Sequence, residues 1–287
     1  MTFPVPGQWR LETEQAERDE SKRKSSPCSF FYAQGSALVT AAKYFSDDRL
    51  LQKCRGGVAR KHRHRIHLAL LGQLMASFEY MLKDFLAQVV DTTDIFDPQL
   101  RAQKWILVDV DRVLSQRVAQ TTVGALLIHP TLGWQDPEEV NRRFKQILGN
   151  EVIARDEIPI LSRLWIIRHS VAHNAGFVTG PDAARLGSAG LSERVVALDE
   201  KYLRAAFKLL CGIARRLAEM CGGAILIQWL RSLQGLPAHY ARDGYAYDRL
   251  KLLATFVASR PQDLPTFGED DYLRDLAAVR SGHHWGK

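Results

Sequence analysis

The segment from Val58 to Val90 carries an apolar series of Leu71, Leu74, Met75, Phe78, Met81, Leu82, Phe85, Leu86 and Val89. Those steps follow the i, i+3, i+4, i+7 pattern, which only an α-helix gathers onto one face. A face that apolar has to be covered by other helices, so a chain built round it is committed to helix-on-helix packing. The first turns of the segment are basic and rich in histidine, and the core-facing part begins near Leu71. A stripe of methionine and aromatic residues at this spacing reads as core, not as a cofactor box.

The same signals predict partners for it. A weaker stripe of Ala37, Leu38, Ala41, Ala42 and Phe45 marks a helix from about Phe30 to Asp47. Pro137 followed by two acids opens a short helix to Leu148. A further core helix runs from about Asp156 to Asn174, with Pro159 in its first turn and Gly176 just past its end. Asp199 caps a long helix to about Leu233, whose inward stripe is Leu203, Phe207, Leu210, Ile213, Leu217 and Cys221. A last helix spans about Tyr247 to Ser259, ahead of a tail broken by Pro261 and Pro265. The small residues of 180–192 predict a loop, and Trp105 to Val113 fits a short strand or a helix. There is no internal repeat and no alternating strand pattern. The expected fold is an all-α bundle. Its organisation is a flexible charged arm at 1–27, a helical domain at 28–235 with an inserted segment at about 91–156, and a C-terminal helix and polar tail at 236–287.

Four cysteines, Cys28, Cys54, Cys211 and Cys221, form no CxxC pair and predict neither a disulfide framework nor a cysteine zinc site. Free thiols fit a reducing compartment. The first residues have no apolar signal region, and the longest apolar stretch, near 222–230, is interrupted by Gln228 and too short to span a bilayer. These features predict a soluble, cytoplasmic protein with no membrane partner. A net charge of +7 favours a polyanionic partner. The densest positive segment, Lys53 to His67, holds six Lys/Arg and three His with no acid. Arg60, Lys61, Arg63 and Arg65 can track an RNA backbone, though a solvated helix end has the same composition.

The residues with chemistry lie at the end of the 156–174 helix: Arg168-His169-Ser170-Val171-Ala172-His173. Arg168 and His173 are five apart, roughly 140° round a regular helix, and share a face only if the helix end unwinds. The following Asn174 and Gly176 predict that unwinding. Arginine can hold two phosphate oxygens in a bidentate fork. Histidine in a last helical turn, at the negative end of the dipole, can accept or donate a proton near neutral pH. Such a pair suits phosphodiester chemistry without a metal. His169 and His173 also have the i, i+4 spacing of a two-histidine metal site, but no third ligand is evident, and no metal or cofactor is expected. Glu79 falls at the edge of the buried face of the long helix, where it either pairs with Arg168 or lies in water.

Arg168 to His173, with His169 directly after the arginine and Asn174-Ala175-Gly176 trailing, resembles the R-x4-6-H signature of the HEPN superfamily. The earlier segment Ala76 to Asp84 is similar to that superfamily's preceding core helix and its acidic residue, and the resemblance covers roughly residues 30–235. It implies a helical bundle that dimerises and brings two motifs into one cleft. It implies metal-independent cleavage of RNA by attack of the 2′-hydroxyl on the adjacent phosphate. Carried over, Arg168 binds phosphate, His173 is the acid/base, His169 is a supporting polar group, and Glu79 and Asn174 support the site. A toxin or antiviral defence effector role, with an inhibitor or regulatory partner protein, follows by family analogy alone. The alternative is a catalytically inactive module of the same fold that binds RNA or a protein.

Overall fold

A computed structural model describes residues 26–46, 58–106, 122–128 and 133–232. Apart from Ser26 and Pro27, the N-terminal arm lies outside these residues, as do Tyr247–Ser259 and the tail. The described residues are helical, as the apolar periodicity predicts, and strand pairing among them is confined to one antiparallel bridge between Phe177 and Val195.

Helix α1 (Pro27–Ser46) starts where the Ser26 hydroxyl accepts the amide of Ser29 at 3.2 Å. Helix α2 (Val58–Thr92) is the long central element, and every member of the stripe from Leu71 to Val89 is buried on it. Helix α6 (Ile158–His173) and helix α8 (Glu200–Arg216) pack round it with α1. Specific contacts fix the directions. Phe31 meets Phe78 edge-on at 5.6 Å, while His67 reaches back to Ser46 and Leu198, so α1 and α2 run antiparallel. Trp165 lies against Phe78, and Val171 against Gly72, so α6 runs antiparallel to α2 as well.

α1 and α8 approach closely at Gly35, where a Cβ would overlap the Phe207 ring. Alanine in mid-helix gains up to about 1 kcal/mol over glycine in propensity. Overpacking a filled core costs about 1–3 kcal/mol, and Phe207 is already held by Phe31 and Tyr32. Gly35→Ala is therefore expected to be destabilising by about 1–2 kcal/mol, read as a lower urea midpoint at unchanged slope.

The described parts of the 91–156 stretch pack on the bundle. They contribute α3 (Asp97–Arg101), α4 (Val123–Ile128) and α5 (Pro137–Leu148). The Asp91 carboxylate at the end of α2 accepts the Gly124 amide at 2.8 Å and the Thr122 hydroxyl at 2.7 Å, which seats α4 on α2. α5 is capped by Asp136, which accepts the amides of Glu138 and Glu139, and it ends at Gly149 with φ 81°. Its Arg143 lies between Trp105 and Trp134, 4.8 Å from each ring centre, and donates to the Gly133 carbonyl. Burial holds that guanidinium below its usual range, against the pull of Glu139. Trp105 is in neither a strand nor a helix, and residues 107–113 of the element expected there lie outside the described residues.

Two segments depart from expectation. The 180–192 loop contains α7 (Gly180–Arg185) and a 3-10 turn at Ala189–Leu191. Thr179 accepts the Asp182 amide and Pro181 falls in the first turn, a start signal that outweighs the small residues. The helix predicted to run from Asp199 to Leu233 is interrupted: α8 passes into a π-helical turn at Leu217–Gly222 and then α9 (Gly223–Ser232). The wider turn ends at the Gly222-Gly223 pair, where the backbone resists distortion least. Burial pushes the Cys28 and Cys221 thiols up to about 12, which leaves them unreactive. Among the described residues no helix is long and apolar enough to cross a membrane.

Candidate active site

α6 is buried through Leu161, Leu164, Trp165, Ile166 and Ile167, and Arg168, His169, Ser170 and His173 lie in its C-terminal half. The helix stays regular through His173, and the predicted unwinding begins only beyond it. Asn174 is the cap, and Ala175 (φ 52°) and Gly176 (φ 88°) follow in the left-handed region. The Ser170 carbonyl accepts the amides of both Asn174 and Gly176 at 2.9 Å. Gly176 is needed there for its backbone angle, while the nearby Leu68 and Val195 leave room for ordinary van der Waals contact. Arg168 and His173 of one chain therefore keep their separation of about 140°.

Val171 faces Gly72 of α2, and it sets the orientation of the rest. Arg168 lies about 60° from that direction and His169 and His173 about 160° from it. The two histidines thus project away from α2. They sit about 40° apart with ring centroids 4.6 Å from each other, and both are exposed. Neither imidazole makes a hydrogen bond among the described residues. Arg168 is half-buried and likewise has no hydrogen bond or ion pair among them. Ser170, between the histidines, is turned inward and donates to the Ile167 carbonyl.

The expected pairing of Glu79 with Arg168 is not what forms. Glu79 is buried and bridges to Lys83 at 2.7 Å, one turn along the same helix. The i, i+4 spacing makes that partner available with no tertiary contact. Asn174 works through its backbone: its amide bonds Ser170 and its carbonyl accepts the Phe177 amide. The basic run divides. Lys53 and Arg55 lie outside the described residues, and of Arg60 and Lys61 only the helical backbone is described. Arg63 and Arg65 are exposed, whereas His67 is a core residue bonded to the Leu198 carbonyl at 3.1 Å. Arg63 and His64 line a cleft of about 530 Å³ against Asp199, Lys201 and Tyr202.

A smaller cleft of about 160 Å³ opens on the histidine side of α6. His169, Trp165 and Ser162 form one wall, and Asp136, Asp182 and Arg185 face them from the start of α5 and from α7. Sequence patterning does not single out Arg185 or Asp182. The Thr179-x-x-Asp182 capping pattern and Pro181 in the first turn are the signals that place α7, and nothing local says that α7 folds back against α6. Among the described residues no group of three or more His, Cys, Asp or Glu is arranged to hold a metal ion.

The chain matches no family model, and neither a curated protein nor a solved structure matches it.

Proposed function

We propose that this chain is a metal-independent endoribonuclease of HEPN type that works as a homodimer in the cytoplasm. The observation that carries the reading is the exposed pair His169 and His173, ring centroids 4.6 Å apart, at the C-terminal end of a helix whose inner face is buried. Transesterification at phosphorus needs a base for the 2′-hydroxyl and an acid for the leaving 5′-oxygen. Imidazole is the side chain that exchanges a proton near neutral pH, and a pair supplies both roles. In this reading Arg168 binds phosphate and His173 is the acid/base, with His169 beside it. Arg168 and His173 of one copy diverge, so a second copy is what lets the two motifs complete one cleft. Arg63 and Arg65, exposed on α2, add positive charge for an RNA backbone. A toxin or defence role under a regulatory partner extends this reading by analogy with the superfamily.

The chemistry has a product signature. Single-stranded RNA should yield fragments ending in 2′,3′-cyclic phosphate and 5′-hydroxyl, and a DNA strand carrying one ribonucleotide should be cut only after that residue. Fragments with 5′-phosphate ends would refute the mechanism. RNA bound with a steep salt dependence but left intact would favour the inactive binding module instead.

A further inference from the structure

We infer that Arg185 is a second phosphate-binding group of this site, holding the scissile phosphodiester against His169 within one copy of the chain. The inference deepens the ribonuclease reading and rests on it for the substrate. Arg168 leaves α6 on the α2 side, about 100° from His169 and about 140° from His173. The imidazole pair leaves on the opposite side, and the cation that shares a cleft with His169 there is Arg185.

The cleft suits a phosphate group. At about 160 Å³ it is well below the roughly 300–1,000 Å³ of pockets that enclose whole ligands. It takes one anionic group and leaves base and sugar outside, as cleavage within a chain of any sequence requires. The two acids on its wall already accept hydrogen bonds, which partly compensates their charge. Asp136 accepts the amides of Glu138 and Glu139 at the start of α5. Asp182 is buried and accepts the Thr179 hydroxyl at 3.0 Å. Asp182 also stands 3.6 Å from the Arg185 guanidinium, too long for a strong bond. It orients the arginine without consuming its donors, and the Arg185 side chain is 69% exposed, so the fork can close on an anion. Ser162 supplies a hydroxyl on the same wall.

Two measurements test this. Arg185→Ala should lower kcat for RNA cleavage by about 10²-fold or more, as loss of a donor to developing oxyanion charge does. Arg185→Lys should recover part of it, with thermal melting unchanged in both because the side chain is exposed. Separately, titrating inorganic phosphate into the full chain should shift the His169 imidazole signals by NMR. In Arg185→Ala the apparent Kd should weaken about tenfold, the usual scale of a charge-assisted hydrogen bond. Cleavage by Arg185→Ala within twofold of wild type would overturn the inference and leave the ribonuclease reading standing. Should the wild type cut no RNA, the ribonuclease reading falls, and the phosphate titration alone decides Arg185. Identical His169 shifts in wild type and variant, or none in either, would overturn the assignment.

Discussion

The His173→Ala variant should lose RNA cleavage by about 10²–10⁴-fold, the range a positioned general acid–base contributes, while folding as the wild type does. His173 is the last residue of α6, exposed, and makes no hydrogen bond among the described residues. Its removal opens no cavity and strands no buried polar group. Surface changes of that kind fall within about 0.5 kcal/mol of neutral. The loss should appear in kcat with little change in KM, because a proton-transfer group acts in the transition state more than in binding. His169→Ala removes the other imidazole of the pair and should also slow cleavage. A variant that lost activity only by unfolding would show it as a shifted melt.

Asn141→Ala should destabilise the chain by about 3–4 kcal/mol, a large fraction of the roughly 5–15 kcal/mol that holds a typical domain together. Asn141 is buried on α5. Its side-chain oxygen accepts the amides of Val152 and Ile153 at 2.9 and 2.8 Å, and its amide donates to the Ile153 carbonyl at 2.7 Å. Alanine leaves three backbone groups without partners in a site closed by buried Val152 and Ile153. Each such group costs about 1–3 kcal/mol, reduced where water enters. Those residues lead directly into α6. The Glu157 carboxylate just beyond them accepts the Ala154 amide and pairs with Arg216 at the end of α8. The variant should therefore show a lower urea midpoint, and above that midpoint its activity should vanish together with its helical signal.

The helices were most legible where periodicity ran long or a cap was explicit. The stripe from Leu71 to Val89 is buried throughout, the 137–148 helix starts where its proline and acids dictate, and Asp199 caps α8 by accepting the Tyr202 amide. Short elements were not. α3 and α4 hold five and six residues, less than the two turns a periodic signal needs, and tertiary bonds such as Asp91 to Gly124 fix them. α7 was masked by the small residues round it, although Thr179 and Asp182 carried a start signal. At the candidate site, spacing already separated Arg168 from His173, and the expected rescue by helix unwinding fails because the left-handed residues come after His173 and not before it. Glu79 finds Lys83 because a partner one turn away needs no fold to bring it. Arg185 reaches the His169 cleft through a chain reversal after Gly176, a long-range event with no periodic trace.

The most direct test of the central claim is cleavage of single-stranded RNA by the purified full-length chain in excess EDTA. Wild type should cut at the same rate with and without the chelator. Cleavage that EDTA abolishes and added divalent cations restore would contradict that claim, as would a preparation that leaves RNA intact under both conditions.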